Sequence, residues 1–375
     1  MSNQVQTETD EVASPGGAAG RPTMKDVAGR AGVALKTVSR VVNGEPGVTP
    51  ETASRVLGAI HDLGFRRNES ARLLRTGRTA TLGFIADTWM NPEHAAVYRG
   101  LEDVARKHGY LLYAGSTDSD PEREERLALA MCARRVDGLV VIPAPGSHNY
   151  LVSEIEAGVA AVFVLRPPEI ARADAVRADV VLPDERGGAR AAVSHLAAHG
   201  HRRIGFLGGC AEYGSRSLRE GYVAAMAAAG LTVEPSWLTL DAGRLAAADP
   251  PVTAVFCADQ ARTRAALRAL AVFESTALPG RVPGSGEFPG QAAGPGDPYR
   301  PRGRRVAVVG FGDLELADLV SPPVTVVSYN PVLIGHTAGE LLIRRMTGDG
   351  APPRRVEVPV RLIARGSAEF APGAN

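Results

Sequence analysis

Cysteine is scarce. The 375 residues hold three, Cys132, Cys210 and Cys257, far apart and without a C-x-x-C pair, which excludes a disulfide framework and gives no zinc-finger spacing. Their expected state is reduced and buried. No apolar run approaches the roughly 18 residues of a membrane span. The first 20 residues, polar with Gly and Ala, lack the basic start and apolar run of a secretory signal, so a cytoplasmic location without a membrane partner is expected. Catalytic signatures are missing too: the chain has no G-x-G-x-x-G, no G-x-x-x-x-G-K-[ST] and no G-x-S-x-G, the fingerprints of dinucleotide sites, phosphate loops and nucleophile elbows. His195 and His199 stand at i, i+4, but two ligands with no third nearby do not make a metal site. No enzyme, cofactor or metal is expected.

What is present is an uneven charge distribution. Net charge is +1, which favours neither nucleic acid nor membrane as partner. Between Arg21 and Thr79, however, eleven basic residues face five acidic ones, leaving +6 there and about −5 elsewhere. The same stretch contains Thr23 to Asn43, TMKDVAGRAGVALKTVSRVVN. Val27, Ala28 and Ala31 form one narrow apolar stripe, and Val38, Val41 and Val42 another, each at helical spacing. Thr23 stands at an N-cap position with Asp26 three residues on, and Gly32 stands where the chain must turn. Two short helices about a tight turn make a helix-turn-helix. Leu35, Lys36, Ser39 and Arg40 fall away from the valine stripe, giving an outward basic and hydrogen-bonding surface of the kind that reads a major groove. From the pattern alone, a small solvated helical hairpin is the alternative.

Downstream, Thr49-Pro50 opens a third amphipathic helix marked by Val56, Leu57, Ile60 and Leu63 and ending at Gly64. Asn68 to Thr76 is a helix-prone run of about two turns, too short to be stable alone in water. It folds against a partner or serves as a linker. From Thr81, strands and helices alternate, which implies right-handed crossovers and parallel sheets. A second series starts near Asp179, so two doubly wound lobes are expected, with ligands at the carboxyl ends of their strands and the cleft between lobes as the candidate site. Seven Gly and six Pro in residues 279–303 predict a long surface loop there.

These segments carry a resemblance. TMKDVAGRAGVALKTVSRVVNG, VTPETASRVLGAIHDLGF and NESARLLRTGRTATLGFI, then RRVDGLVVIP, HLAAHGHRRIGFLGG and VAVVGFGD with SPPVTVV, resemble the lactose-repressor (LacI/GalR) family of bacterial transcription regulators, in its order and spacing. Gly, Ala, Ser and acidic residues in 1–20 offer nothing to pack, so a disordered tail is expected there; the resemblance, which starts at Thr23, implies a three-helix headpiece (21–66), then a hinge helix and linker (67–79). The implied core (80–375) is periplasmic-binding-protein-like, with one lobe at about 80–178 and 330–347 and the other at about 179–329 and 348–370. It implies that Leu35, Lys36 and Arg40 meet base edges, and that Thr23, Thr37, Ser39 and Asn43 meet phosphates. Asn68, Arg72 and the wedging Leu74 would enter the minor groove. It further implies a homodimer on a pseudo-palindromic double-stranded operator, most often as a repressor, controlled by a small-molecule effector. Ala34 departs from the family's usual Ser, removing a cap or phosphate contact worth about 1 kcal/mol.

The effector pocket departs further. Asn91-Pro92 is followed by Glu93 and His94 where sugar-binding members commonly carry aromatics; Leu218 stands three residues before Gly221 in place of Arg; Asp259-Gln260 replaces Asn-Asp; and Gly312 replaces the first Asp of Gly-Phe-Asp-Asp. A pyranose needs stacking faces and convergent hydrogen-bonders for its buried hydroxyls, so an effector other than a simple hexose, or a weakened response, is expected. The polar candidates are Asn91, Arg166, Asp184, Glu185, Arg216 and Asp259, each of which can instead be a solvated or ion-paired surface residue. A solute-binding protein of the same two-lobed fold is the alternative; the basic headpiece counts against it.

Overall fold

The computed structural model describes residues 22–66, 78–171, 178–208, 216–276 and 306–373. The expected tail, the Asn68 to Thr76 run and the 279–303 loop lie outside these. The chain divides into two units, Met1–Gly77 and Arg78–Asn375.

In the first unit, helices α1 (Met24–Ala31), α2 (Leu35–Asn43) and α3 (Pro50–Leu63) close around Val27, Val38 and Val56, all fully buried, with Ala31, Ala59 and Phe65 beside them. Apolar contact is what joins such short helices, because each is too short to persist alone. The helix ends are specified locally. The Asp26 carboxylate accepts from both the Thr23 N–H and the Thr23 hydroxyl at 2.7 Å, and the Thr49 hydroxyl caps the N–H of Thr52. Ala34 heads α2 with no side-chain cap, as the missing hydroxyl requires. One position of the third stripe is corrected: Leu57 is 57% exposed, and Ala59 faces the core instead. Val56, Ala59, Ile60 and Leu63 sit at i, i+3, i+4, i+7, and Leu57 lies off that face.

The second unit contains two six-stranded sheets. The first consists of β1 (Thr81–Ala86), β2 (Leu111–Ser116), β3 (Gly138–Val141), β4 (Ala160–Val164), β5 (Asp179–Pro183) and β11 (Arg355–Val358), in the order β11-β5-β4-β3-β1-β2 and parallel throughout. The second consists of β6 (Ile204–Leu207), β7 (Leu238–Thr239), β8 (Ala254–Cys257), β9 (Ala307–Phe311), β10 (Thr325–Tyr329) and β12 (Val360–Ile363), in the order β12-β10-β9-β8-β6-β7, with β12 alone antiparallel to its neighbour. Central strands such as β1, β3 and β8 are buried at every position, as parallel strands covered on both faces must be. The boundary expected near residue 179 is therefore corrected. Asp179–Pro183 and Arg355–Val358 complete the first sheet, and the chain changes lobes after β5, after β10 and between β11 and β12.

Helices α4 (Pro92–Lys107) and α11 (Pro331–Met346) pack face to face on the first sheet. Their approach is so close that a Cβ on Gly100 would collide with the Val332 carbonyl, and one on Gly335 with the Val97 carbonyl. Where α11 ends, Arg345 reaches back to Asp179 through paired bonds of 2.8 and 2.6 Å, with both side chains buried, and Asp179 also accepts the Arg354 N–H at 2.7 Å. Removing one partner of a buried pair leaves an uncompensated charge. Asp179→Ala is expected to lower stability by about 3–5 kcal/mol, read as an earlier denaturant midpoint; a midpoint equal to wild type would show that the pair is dispensable.

Candidate functional site

In the headpiece, α2 buries Val38 completely and turns the opposite side outward. Leu35 and Lys36 are exposed, and Thr37, Ser39, Arg40 and Asn43 are half-buried. The Asn43 amide donates to Ser39 Oγ at 3.3 Å and to Glu45 at 3.0 Å, which orders the end of the helix. Leu35, Lys36 and Arg40 thus share one outward surface. Thr23 is exposed at the head of α1, its hydroxyl engaged by Asp26. Asn68, Arg72 and Leu74 lie outside the described residues.

In the core, a cavity of about 670 Å³ opens where both sheets end. Its wall is built from strand ends and the loops they lead into: Asp87 after β1, Ser119 beyond β2, Pro145 beyond β3, Leu165 and Arg166 after β4, Glu185 beyond β5, Leu240 after β7, Asp259 and Gln260 beyond β8, with Phe311 and Tyr329 ending β9 and β10. Parallel sheets converge their carboxyl ends in this way. Of the expected effector contacts, Asn91, Arg166, Glu185 and Asp259 line the cavity. Asp184 and Arg216 are not among the described residues that line it. The Asp184 carboxylate caps α7 (Glu185–Ala198) by accepting the Gly187 N–H at 2.8 Å, while Arg216 is exposed at the start of α8 (Arg216–Ala228). Leu218 is buried in the second lobe's apolar core.

Sequence reasoning passes over Asp87 and Tyr329, and both do more than line the wall. Arg166 lies 3.7 Å from Asp87 and donates to the Pro143 carbonyl at 3.2 Å, and the Ser119 hydroxyl donates to Asp87 at 2.6 Å. Tyr329 donates its hydroxyl to Glu93 across the cavity floor. The carboxyl-end rule could have drawn attention to both, since each stands at or next to the end of a strand. Asn91 caps α4 through the Glu93 N–H and faces His94 Nε2 at 3.3 Å, while His94 Nδ1 meets the Thr88 carbonyl at 2.9 Å. Burial holds the His94 pKa below the usual histidine value, which favours the neutral imidazole. Burial raises the pKa of Glu93, against the Tyr329 hydrogen bond and the charge of Arg166. It pushes Glu185 up to about 7, against the charge of Arg355 and a bond from Ser217. Among the described residues, no group of three His, Cys, Asp or Glu could hold a metal, and no helix is long and apolar enough to cross a membrane.

Known proteins agree with both halves of this geometry. Residues 23–68 match the model for bacterial regulatory proteins of the lacI family, and residues 193–276 and 302–368 match that of the periplasmic binding protein-like domain. The transcriptional regulator CelR of Thermobifida fusca is 30% identical over 329 residues, 82% of this chain and 87% of CelR. The transcriptional repressor PurR of Aliivibrio salmonicida is 26% identical over 322 residues, 82% of this chain and 87% of PurR. The solved structure of a CelR–cellobiose complex superposes with a TM-score of 0.62 at 28% identity, covering 92% of this chain and all of that one.

The Glu185 carboxyl generates a pH prediction. Its folded pKa, about 7, lies above the ordinary 4.5, so its contribution to stability is fully present below about pH 4.5 and is lost as pH rises through about 7. Glu185→Gln should flatten that fall in thermal unfolding measured between about pH 4.5 and 8. Parallel wild-type and variant curves would show that Glu185 titrates normally.

Proposed function

This chain belongs to the lacI family of bacterial regulatory proteins, and from that premise we propose that it is a repressor that binds a pseudo-palindromic operator as a homodimer and answers to a small molecule in the inter-lobe cleft. One observation carries the DNA half: α2 hides Val38 and offers Leu35, Lys36 and Arg40 outward. Arg can bond guanine through two donors, and a helix fits the major groove. Thr23, Thr37, Ser39 and Asn43 are assigned to phosphates, and Asn68, Arg72 and Leu74 to a hinge in the minor groove, where an apolar wedge kinks the duplex. The dimer is supported by apolar surface in each lobe: Leu111 and Tyr113 on the edge strand β2 are 69% and 50% exposed, and Leu316 and Leu319 are 62% and 75% exposed. A second copy of the chain is the occupant we assign to these surfaces.

The cleft volume suits a small polar ligand. Glu93 and His94 in place of aromatics, and a core Leu218 in place of a charged hydrogen-bonder, support an effector other than a simple hexose. Binding of glucose or galactose at micromolar concentration in a calorimeter would overturn that.

Selection of bound duplexes from a random library should yield a palindromic sequence, its half-sites about one helical turn apart. Fluorescence anisotropy should show it bound on the order of a thousandfold more tightly than scrambled DNA, with a steep salt dependence. Arg40→Ala should cost about 1–3 kcal/mol of that discrimination, roughly 5- to 150-fold. Failure to enrich any sequence, or equal affinity for selected and scrambled duplexes, would overturn the repressor reading. A monomeric mass by light scattering would overturn the dimer.

A further inference from the structure

We propose that the cleft takes a ligand carrying a protonated amine, for which Glu93 and Glu185, grouped around Tyr329 in the cavity wall, are the counter-charge. This rests on the cleft being the effector site.

Among the described residues, the cavity wall carries four carboxyls, Asp87, Glu93, Glu185 and Asp259, and three guanidinium groups, Arg166, Arg262 and Arg264. Two carboxylates are matched within the protein. Asp87 has Arg166 and the Ser119 hydroxyl. Asp259 accepts from the Arg262 guanidinium at 3.1 Å and from the Arg262 N–H at 2.8 Å. Arg264 is exposed, where solvent screens it. Glu93 and Glu185 are left, and the side-chain hydrogen bonds they accept from the described residues come from hydroxyls, those of Tyr329 and Ser217. The neighbouring charges do not alter this balance. Arg355 favours ionisation of Glu185 but is itself bonded to Glu357 at 3.2 Å. Arg166 and Asp259 act on Glu93 with opposite signs, and burial disfavours a charge on His94. Both carboxyls act on the same Tyr329 phenol, which burial and their charge hold un-ionised.

The local backbone suits an anion once a cation is present. Glu93 is the second residue of α4 and Glu185 the first of α7, where helix N–H groups favour negative charge. Gly312 adds room: its φ of +82° excludes most side chains, and a Cβ there would stand 3.7 Å from Glu93 Oε1. Leu218 is buried in the second lobe's apolar core and brings no charge to the cleft. A neutral pyranose would leave both carboxyls uncompensated or protonated. An alkylammonium group, which stays protonated well into the alkaline range, displaces a proton from a carboxyl to solvent, so its binding strengthens as pH rises through the carboxyl's range.

The test uses the full-length protein and matched probes: glucosamine, galactosamine and 1,4-diaminobutane against glucose, galactose and 1,4-butanediol. At millimolar concentration and about pH 8, at least one amine should raise Tm by ~2–4 °C while its hydroxyl counterpart does not. The affinity of 1,4-diaminobutane, whose ammonium groups stay protonated across this range, should fall about tenfold toward pH 6 by calorimetry. The response should be lost in the Glu93→Gln/Glu185→Gln double variant, and weakened in Glu93→Gln and Glu185→Gln separately, so that misfolding of one protein does not decide the result. Silence from every amine, equal stabilisation by an amine and its alcohol, or an undiminished response in the variants would overturn the proposal. Operator binding by the same preparation separates the two readings: specific DNA binding with no amine selectivity sinks only this inference, and loss of specific DNA binding sinks the regulator reading.

Discussion

The buried pair between Arg345 and Asp179 fixes where the chain re-enters its first sheet. Arg345 spends its remaining donors on the Asp349, Ala351 and Pro352 carbonyls, so the end of α11, the connection after it and the start of β5 are held at one point. From that point Arg355 can pair with Val180 and β11 can complete the sheet. The last change of lobe, into β12, then comes within two residues. The three changes of lobe lie close together: Val358 stands against Pro183 and accepts the Asp184 N–H, and Tyr329 stands against Val360. Desolvating two charges is costly, and the geometry compensates by satisfying both groups several times over.

The repetitive parts of the fold are legible in the sequence because parallel strands covered on both faces are unbroken apolar runs. TLGFIA and AVVGF offer no second interpretation once helices flank them. The strand DVVLP is harder to assign, since nothing in its composition says which of two sheets it joins; only the long-range pair with Arg345 decides that. Leu57 is misread for a related reason. Alanine at 59 gives a weak hydrophobic signal beside leucine, yet close helix packing selects by position on the face and not by side-chain size. Asp184 suggests a cleft residue by its place after a strand. The local need of α7 for a cap outweighs that.

The cleft is legible as a location before it is legible as chemistry. The carboxyl-end rule identifies which loops converge, but not which side chains are already consumed by one another. Asn91 shows the difference: it lines the cavity, as expected, yet its oxygen caps α4 and its amide faces His94. Asp87 and Arg166 likewise complete each other. What a ligand meets is the remainder after such internal matching, and here that remainder is acidic, half-enclosed and bordered by two apolar side chains, Met90 and Leu240, which are 89% and 52% exposed.

Tyr329 ties this remainder to the fold. It is the last residue of β10, and the next two, Asn330 and Pro331, cap and open α11 as the chain returns to the first lobe. Its ring packs against Phe311, with centroids 5.5 Å apart, and borders the apolar core of each lobe. Its hydroxyl is bound to Glu93 at the head of the first-lobe helix α4. A ligand that recruits the Glu93 carboxyl therefore competes for a hydrogen bond made at a crossing between lobes. Differential affinity for two lobe settings is the only quantity an effector can use to shift a population, and coupling to DNA is the same free energy seen from the other site. Cleft chemistry and lobe geometry meet at one phenol, so a change in the charge state of Glu93 cannot leave the crossing unaffected.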